Sequence, residues 1–187
     1  LLRAGAKEDD ILEIIGDVTN EVVLEKLVAS TVEKFGKLDV LVNNAGGSSY
    51  EHLGKRILDI PVTDFSKMID LNVKPVLRIS QLAVPHLEKT KGAIVNVSSI
   101  SAYHKLDAMP YYSASKSALD QITIQMAGSL IKKGIRVNSV NPGPVLTNFF
   151  AGSDATPEEQ EKIWASLAAN PSIPLGRIGY PEEIGKV

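Results

Sequence analysis

Apolar runs alternate along this chain with segments whose apolar residues recur at helical spacing. That alternation predicts βαβ units around a parallel sheet. Glu13-Ile14-Ile15-Gly16-Asp17-Val18 reads as the end of a strand. Thr19 or Asn20 is placed to cap a helix that carries Leu24, Leu27, Val28, Thr31, Val32 and Phe35 at helical spacing, and Gly36 stops it. Leu38 to Val42 is a buried strand running into Asn43-Asn44-Ala45-Gly46-Gly47. A polar loop of roughly Ser48 to Val62 leads to a helix with Thr63 as candidate cap, Phe65, Met68 and Ile69 as apolar positions, and Asn72 near its end. A second helical stretch runs to about Lys89, with Pro75 and Pro85 predicting an irregular start and an early end or kink. Gly92 to Ser98 is the next strand, and the loop Ser99 to Pro110 enters a long helix from about Tyr112 to Lys133. Ala114, Ala118, Leu119, Ile122, Met126 and Leu130 give that helix a wide apolar face, and Gly134 ends it. Ile135 to Val140 is a strand closed by Asn141-Pro142-Gly143-Pro144. Thr156-Pro157-Glu158-Glu159 and Pro181-Glu182-Glu183 each start a further helix.

The 187 residues suffice for one domain with a substantial core, and no linker, internal repeat or low-complexity segment divides them. A net charge of −2 without any basic run gives no electrostatic reason to expect nucleic acid as a partner. No apolar run is long enough for a membrane span, and the first residues do not form a secretory signal. The absence of cysteine excludes disulfides and thiolate metal sites and is compatible with a reducing compartment. With no signal or membrane-spanning run visible, a cytoplasmic setting is expected. His52, His86 and His104 are scattered without metal-ligand spacing, so no metal is expected.

Candidate chemistry centres on Tyr112-Ser-Ala-Ser-Lys116. Positions i and i+4 share a helix face, so Lys116 can bring a positive charge near the Tyr112 oxygen. An opposite charge favours the ionised phenol and is expected to lower its pKa, ordinarily about 10, toward the range useful for proton transfer. Tyr and Lys at this spacing also arise by chance as a surface pair, and the surroundings decide. In open α/β sheets ligands bind beyond the carboxyl ends of the strands. Asp17-Val18, Asn43-Asn44-Ala45-Gly46, Ser98-Ser99 and Asn141-Pro142-Gly143 all fall at such ends. Each alone reads as a turn. The ordered set, with Tyr112 and Lys116 between the last two, is harder to explain by chance.

The set resembles the short-chain dehydrogenase/reductase family in its single-domain branch, from about Asp17 to Glu183. Asn43-Asn44-Ala45-Gly46, Ser99 with Tyr112-x-x-x-Lys116, Asn141-Pro142-Gly143, and Arg177-Ile178-Gly179 with Pro181-Glu182-Glu183 carry the likeness. It implies a Rossmann-like, doubly wound parallel sheet in three α/β/α layers. It also implies a catalytic tetrad. Asn72 would hold a water in a proton relay, Ser99 would hydrogen-bond the substrate oxygen, Tyr112 would be the acid/base, and Lys116 would lower its pKa and bind the nicotinamide ribose. Ser99 is preferred to Ser98 for its thirteen-residue distance from Tyr112, usual in the family. Tyr111 is a decoy, since the residue four further on is Ser115. By the same resemblance Asp17 and Val18 are adenine contacts, and Asn43, Ala45 and Gly46 form the central cofactor loop. Pro142, Gly143, Val145 and Thr147 form the nicotinamide-side loop. Phe149, Phe150, Trp164 and the loop from Tyr103 to Met109 are candidates for lining the substrate pocket, the aromatics equally for core packing. The expected reaction is hydride transfer between NAD or NADP and a carbonyl or secondary alcohol. Family frequency favours NADP. Members usually form homodimers or homotetramers through the helix after Asn72 and the Tyr112 helix.

The family's glycine-rich fingerprint is absent, with the first strand, first helix and second strand. Members carry about fifty residues ahead of the position matched by Asp17; here sixteen precede it. The final strand is also missing, so the sequence looks like the interior of a longer protein, a single incomplete domain over residues 1–187. Cofactor affinity is expected to fall without the glycine turn that cradles the pyrophosphate. A catalytically silent fragment offering only a packing or dimerisation surface is the alternative. A sugar-nucleotide epimerase of the extended branch is disfavoured by Asn43-Asn44-Ala45-Gly46. Enoyl reductases are disfavoured because they usually space the tyrosine and lysine differently.

Overall fold

The computed structural model describes residues 5–52, 54–150, 155–170 and 173–187. Its helices are α1 (Glu21–Phe35), α2 (Val62–Asn72), α3 (Lys74–Thr90), α4 (Pro110–Leu130), α5 (Pro157–Ala168) and α6 (Pro181–Ile184). Its strands are β1 (Val40–Asn43), β2 (Ala93–Val97) and β3 (Arg136–Val140), paired in the order β1-β2-β3. Both pairings are parallel, with Leu41 beside Ile94 and Ile94 beside Val137. Parallel neighbours require a helical crossover, and α2 with α3, then α4, supply the two crossovers. This is the Rossmann-like α/β class, a parallel sheet flanked by helices.

Side-chain alternation along the strands decides where the core sits. Leu41, Ile94 and Val137 face Leu24 and Val28 of α1 and Ile79, Ala83 and Leu87 of α3. Met126, Ala127 and Leu130 of α4 pack against the same cluster. Burying each of the larger aliphatic groups contributes roughly 1.5–3 kcal/mol. On the opposite face of β1, Val40 and Val42 remain 52% and 57% exposed. A polar column stands on the core face: Asn43 Nδ2 donates to Asn96 Oδ1 at 2.8 Å, and Asn96 Nδ2 donates to Thr123 Oγ1 at 2.8 Å. It locks α4 to β1 and β2 in one register, because these buried amides have to be paired.

Several boundaries differ from the sequence pattern. Ile11 to Val18 forms no strand, and Ile15 is 90% exposed. An extended segment becomes a strand only with a ladder partner, and none is present beside it among the described residues. Asn20, not Thr19, caps α1, its side chain accepting from Val22 N at 3.0 Å. Gly36 ends that helix at φ +74°, a left-handed conformation suited to glycine. α2 begins at Val62 with Pro61 in the cap position, one residue ahead of Thr63. Pro85 does not end α3, which continues to Thr90. Ala83 and Leu87, wholly buried on either side, hold the helix through the hydrogen bond that proline cannot make. Thr156 caps α5 with a reciprocal capping box to Glu159.

The core predicts that Ile94→Ala lowers unfolding free energy by about 2–5 kcal/mol, read by urea denaturation. A loss under about 1 kcal/mol would show that Ile94 is not central to the packing.

Candidate active site

Several different elements deliver the chemistry-bearing residues to the carboxyl edge of the sheet. β1 leads into the Asn43–Gly47 loop, in which Asn44, Ala45 and Gly46 are exposed. Asn72, the last residue of α2, is buried against this loop. Its Nδ2 donates to Gly47 O at 2.9 Å and Ser115 Oγ at 3.0 Å, and its Oδ1 accepts from Gly47 N at 3.0 Å. One amide hydrogen and the amide oxygen thus hold the loop, and the other hydrogen ties α2 to α4. A Cβ at Gly46 would lie 2.7 Å from Asn72 Oδ1 and 3.5 Å from Lys116 Nζ, so only glycine lets the loop pass this close.

β2 delivers the two serines into different settings. Ser98 Oγ donates to Lys116 O at 3.2 Å, inside the core. Ser99 caps the short 3-10 turn Ile100–Ala102, accepting from Ser101 N at 3.1 Å, and its hydroxyl lies near enough to the Tyr112 phenol to pull that group's pKa down. Tyr112 lies in the first turn of α4, opened by Pro110. Tyr111 points away and donates to Ile60 O at 3.1 Å. Lys116 is 5% exposed, and its Nζ donates to Val97 O at 2.9 Å while lying 5.7 Å from the centroid of the Tyr112 ring.

The electrostatics reverse one sequence expectation. Burial, the largest effect, raises the Tyr112 pKa above its ordinary value, and the Ser99 hydrogen bond works against it. The nearby Lys116 does not reverse that rise. Its ammonium is aimed at the Val97 carbonyl, and desolvation depresses its own pKa from 10.5 to about 8, opposed by the charge of Asp120. Helical spacing brought the two residues to one face but did not fix where the Nζ points.

The remaining candidates fall into two groups. Pro142, Gly143, Val145 and Thr147 form a loop beside Ser99: Ile100 N donates to Pro142 O at 3.0 Å. The Arg177–Glu183 segment backs this loop. Gly179 N donates to Pro144 O at 2.8 Å and Leu146 N to Gly179 O at 2.9 Å, giving a parallel bridge between Val145 and Gly179. Thr147 Oγ1 accepts from Phe149 N at 3.2 Å. Asp17 and Val18 instead build the turn that starts α1. Asp17 Oδ1 accepts from Thr19 N at 2.8 Å and Thr19 Oγ1 at 2.9 Å, which holds its pKa down, and Val18 packs on the core.

The aromatics gather over Tyr112. Phe149 meets it edge-on at 5.7 Å, while Phe150 packs on Trp164 at 5.0 Å and is buried. Phe149 therefore has the site-facing place and Phe150 a packing one. Residues 151–154, part of the segment expected to line the pocket, lie outside the described residues. Tyr50 was not singled out by its sequence, which offers no periodic signal in that loop. It stacks on Phe149 and Phe150 and donates to Phe149 O. Burial and then the nearby Tyr112 push its pKa up to about 12. Beside Tyr112 a narrow cleft with room of about 20 Å³ is lined by His52, Asp64, Met68, Met109 and Tyr111 among others. Ligand-type atoms of Glu51, His52 and Asp64 gather within 4.8 Å. Asp64 is nevertheless held by Lys67 at 2.9 Å and His52 at 3.3 Å, an ion-pair arrangement that sequence spacing did not foresee. Tyr103 sits over Asp120 rather than in the cleft. No helix among the described residues is long and apolar enough to cross a membrane.

A family sequence model described as Enoyl-(Acyl carrier protein) reductase matches residues 2–187. The 7alpha-hydroxysteroid dehydrogenase of Escherichia coli K12 is 36% identical over 169 residues, which cover 90% of this chain and 62% of that protein. A short-chain dehydrogenase/reductase of Caenorhabditis elegans, solved with cofactor, is 37% identical with a TM-score of 0.90, over 99% of this chain and 69% of that one. A 7alpha-hydroxysteroid dehydrogenase solved with NADH and 7-oxo glycochenodeoxycholic acid is 36% identical with a TM-score of 0.72, over 90% of this chain and 62% of that one. The chain belongs to the short-chain dehydrogenase/reductase family. It spans less than two thirds of the length of the curated relative.

The loop geometry predicts that Asn72→Ala leaves Gly47 N, Gly47 O and Ser115 Oγ without their partner. Stability should fall by about 1–3 kcal/mol in chemical denaturation. An unchanged midpoint would mean that water replaces the amide at no cost.

Proposed function

We propose that this chain carries the catalytic half of an NAD(P)-dependent oxidoreductase that moves a hydride between nicotinamide and a carbonyl or secondary alcohol. The observation that carries this is the convergence of Ser99, Tyr112 and Lys116 within one buried cluster, beside the Asn43–Gly46 and Pro142–Thr147 loops. The glycine at position 46, where a side chain would strike Asn72 and approach Lys116, suits close approach of a nicotinamide ribose. The bound nicotinamide supplies or accepts the hydride.

The chain's residues do the remaining work. Ser99 and Tyr112 hydroxyls donate to the substrate oxygen as negative charge develops there during reduction. Tyr112 then gives its proton to that oxygen. A raised phenol pKa keeps that proton in place at neutral pH, the state in which the phenol can act as the proton donor. Lys116 binds the ribose and holds positive charge beside the phenol. Asn72 fixes the Gly46–Gly47 backbone, and a relay water belongs with its carbonyl end. Asp17 and Val18 remain the adenine-side candidates. NADP is preferred to NAD on family frequency alone.

The substrate is a small molecule of partly apolar character, supported by Phe149 against Tyr112 and by Met68 and Met109 in the cleft. The description borne by the family model raises reduction of a carbon–carbon double bond as a second reading. Ser99 beside Tyr112 favours an oxygen at the reacting centre. Residues 1–187 are taken as one incomplete domain, and a cytoplasmic setting rests on the cysteine-free sequence. A homodimer or homotetramer would use what α4 leaves exposed, such as Ile124, since Leu119, Met126 and Leu130 are turned to the core or partly buried against it.

In the protein at the full length of its relatives, Tyr112→Phe should reduce turnover by about 10²–10⁴-fold while the cofactor dissociation constant stays within about threefold. Near-native turnover would sink the assignment. A lysine whose pKa is depressed is charged below that pKa and neutral above it. Reductive kcat/KM should therefore decline as pH rises through about 8, where Lys116 loses its proton. A profile flat to pH 10 would show that its charge is not required.

A further inference from the structure

We propose that Asp120 is a positioning residue of the site, tying the Asn141 turn and the Ser99 backbone to the helix of Tyr112 and Lys116 and placing a buried negative charge one helical turn from Lys116. The inference rests on the proposed roles of Lys116 and Ser99. Asp120 is 7% exposed and stands four residues after Lys116, as Lys116 stands four after Tyr112. The three therefore stack along one face of α4. Asp120 Oδ2 accepts from Asn141 Nδ2 at 2.7 Å, and the same amide donates to Ser99 O at 3.2 Å. Through the Asn141 amide one carboxylate thus links α4, the turn after β3 and the backbone of Ser99.

The ionisable groups facing Lys116 are Tyr112 and Asp120, both on its own helix. From neighbouring elements come the Val97 carbonyl of β2 and, through the Gly46 loop, the Asn72 amide. Tyr103 faces Asp120 from the 3-10 turn, and its hydrogen bond to the carboxylate, then the carboxylate's charge, raise the phenol's pKa. Burial favours the neutral amine of Lys116 and Asp120 opposes it. Removing the carboxylate charge leaves burial unopposed, so Lys116 should lose its proton at lower pH.

The test follows Lys116 by the 13Cε resonance through a pH titration in the full-length protein, alongside the pH profile of reductive kcat/KM. In Asp120→Asn the Lys116 titration and the alkaline limb should both move to lower pH, with kcat/KM at pH 8 down roughly threefold or more. Asp120→Glu should restore both. Asn141→Ala keeps the charge, and should leave the Lys116 titration in place while weakening cofactor binding. If Asp120→Asn does not fold, Asp120→Ser serves for the same titration. A Lys116 titration at the wild-type pH in the neutral variant, or kcat reduced equally at every pH, would overturn the proposal. Failure of the oxidoreductase assignment would appear separately, as no turnover by the wild type, and the resonance titration would still decide the role of Asp120.

Discussion

Burying the Lys116 amine constrains everything around it. A lone ammonium out of water is costly, and here the cost is met by the Val97 carbonyl at 2.9 Å and by the charge of Asp120 along the helix. To reach that carbonyl, α4 has to lie across the end of β2. The Asn43–Asn96–Thr123 column fixes the same crossing from below. Once α4 is seated, Tyr112 comes beside Ser99, and Asn72 meets Ser115 and the Gly46–Gly47 loop. The pKa of Lys116, lowered from 10.5 to about 8, makes this a tension in the fold. With the folded-state pKa below the unfolded one, the unfolded chain binds more protons between those values. The stability cost is present below about pH 8 and fades as pH rises toward 10.5.

Much of this was legible from residue pattern. The strands were marked by short apolar runs, and their carboxyl ends by Asn43–Gly47, Ser98-Ser99 and Asn141–Gly143. The Tyr112–Lys116 spacing correctly placed both residues on one helix face. It did not give the direction of the Lys116 amine, and so gave the wrong sign for the Tyr112 pKa. That sign depends on burial and on a backbone carbonyl brought by β2, neither of which helical spacing contains. Asp120 carried the same signal, a second i+4 step on α4. Its partner Asn141 lies beyond the next strand crossover, where sequence proximity says nothing. The approach of His52 to Asp64 and the seat of Tyr50 on Phe149 are likewise tertiary.

The segment before Asp17 shows the limit of local pattern in the other direction. Ile11 to Val18 has strand composition but no ladder partner, and it remains extended with Ile15 in solvent. Val40 and Val42 are similarly exposed on the face of β1 turned from the core. The chain spans 62% of the length of a curated relative, while its fold superposes on 69% of a solved family member with a TM-score of 0.90. The cluster of Ser99, Tyr112 and Lys116 is therefore assembled from these residues alone. The glycine turn that would cradle a pyrophosphate is not among them.

The most direct measurement is a fluorescence titration of this chain, and of the chain at the length of its relatives, with NADPH and with NADH. Saturable enhancement of the nicotinamide emission by the longer protein, weaker in the present chain and lost in both on Lys116→Met, is the expected result. No binding of either nucleotide by the longer protein would contradict the assignment of this cluster to nicotinamide chemistry.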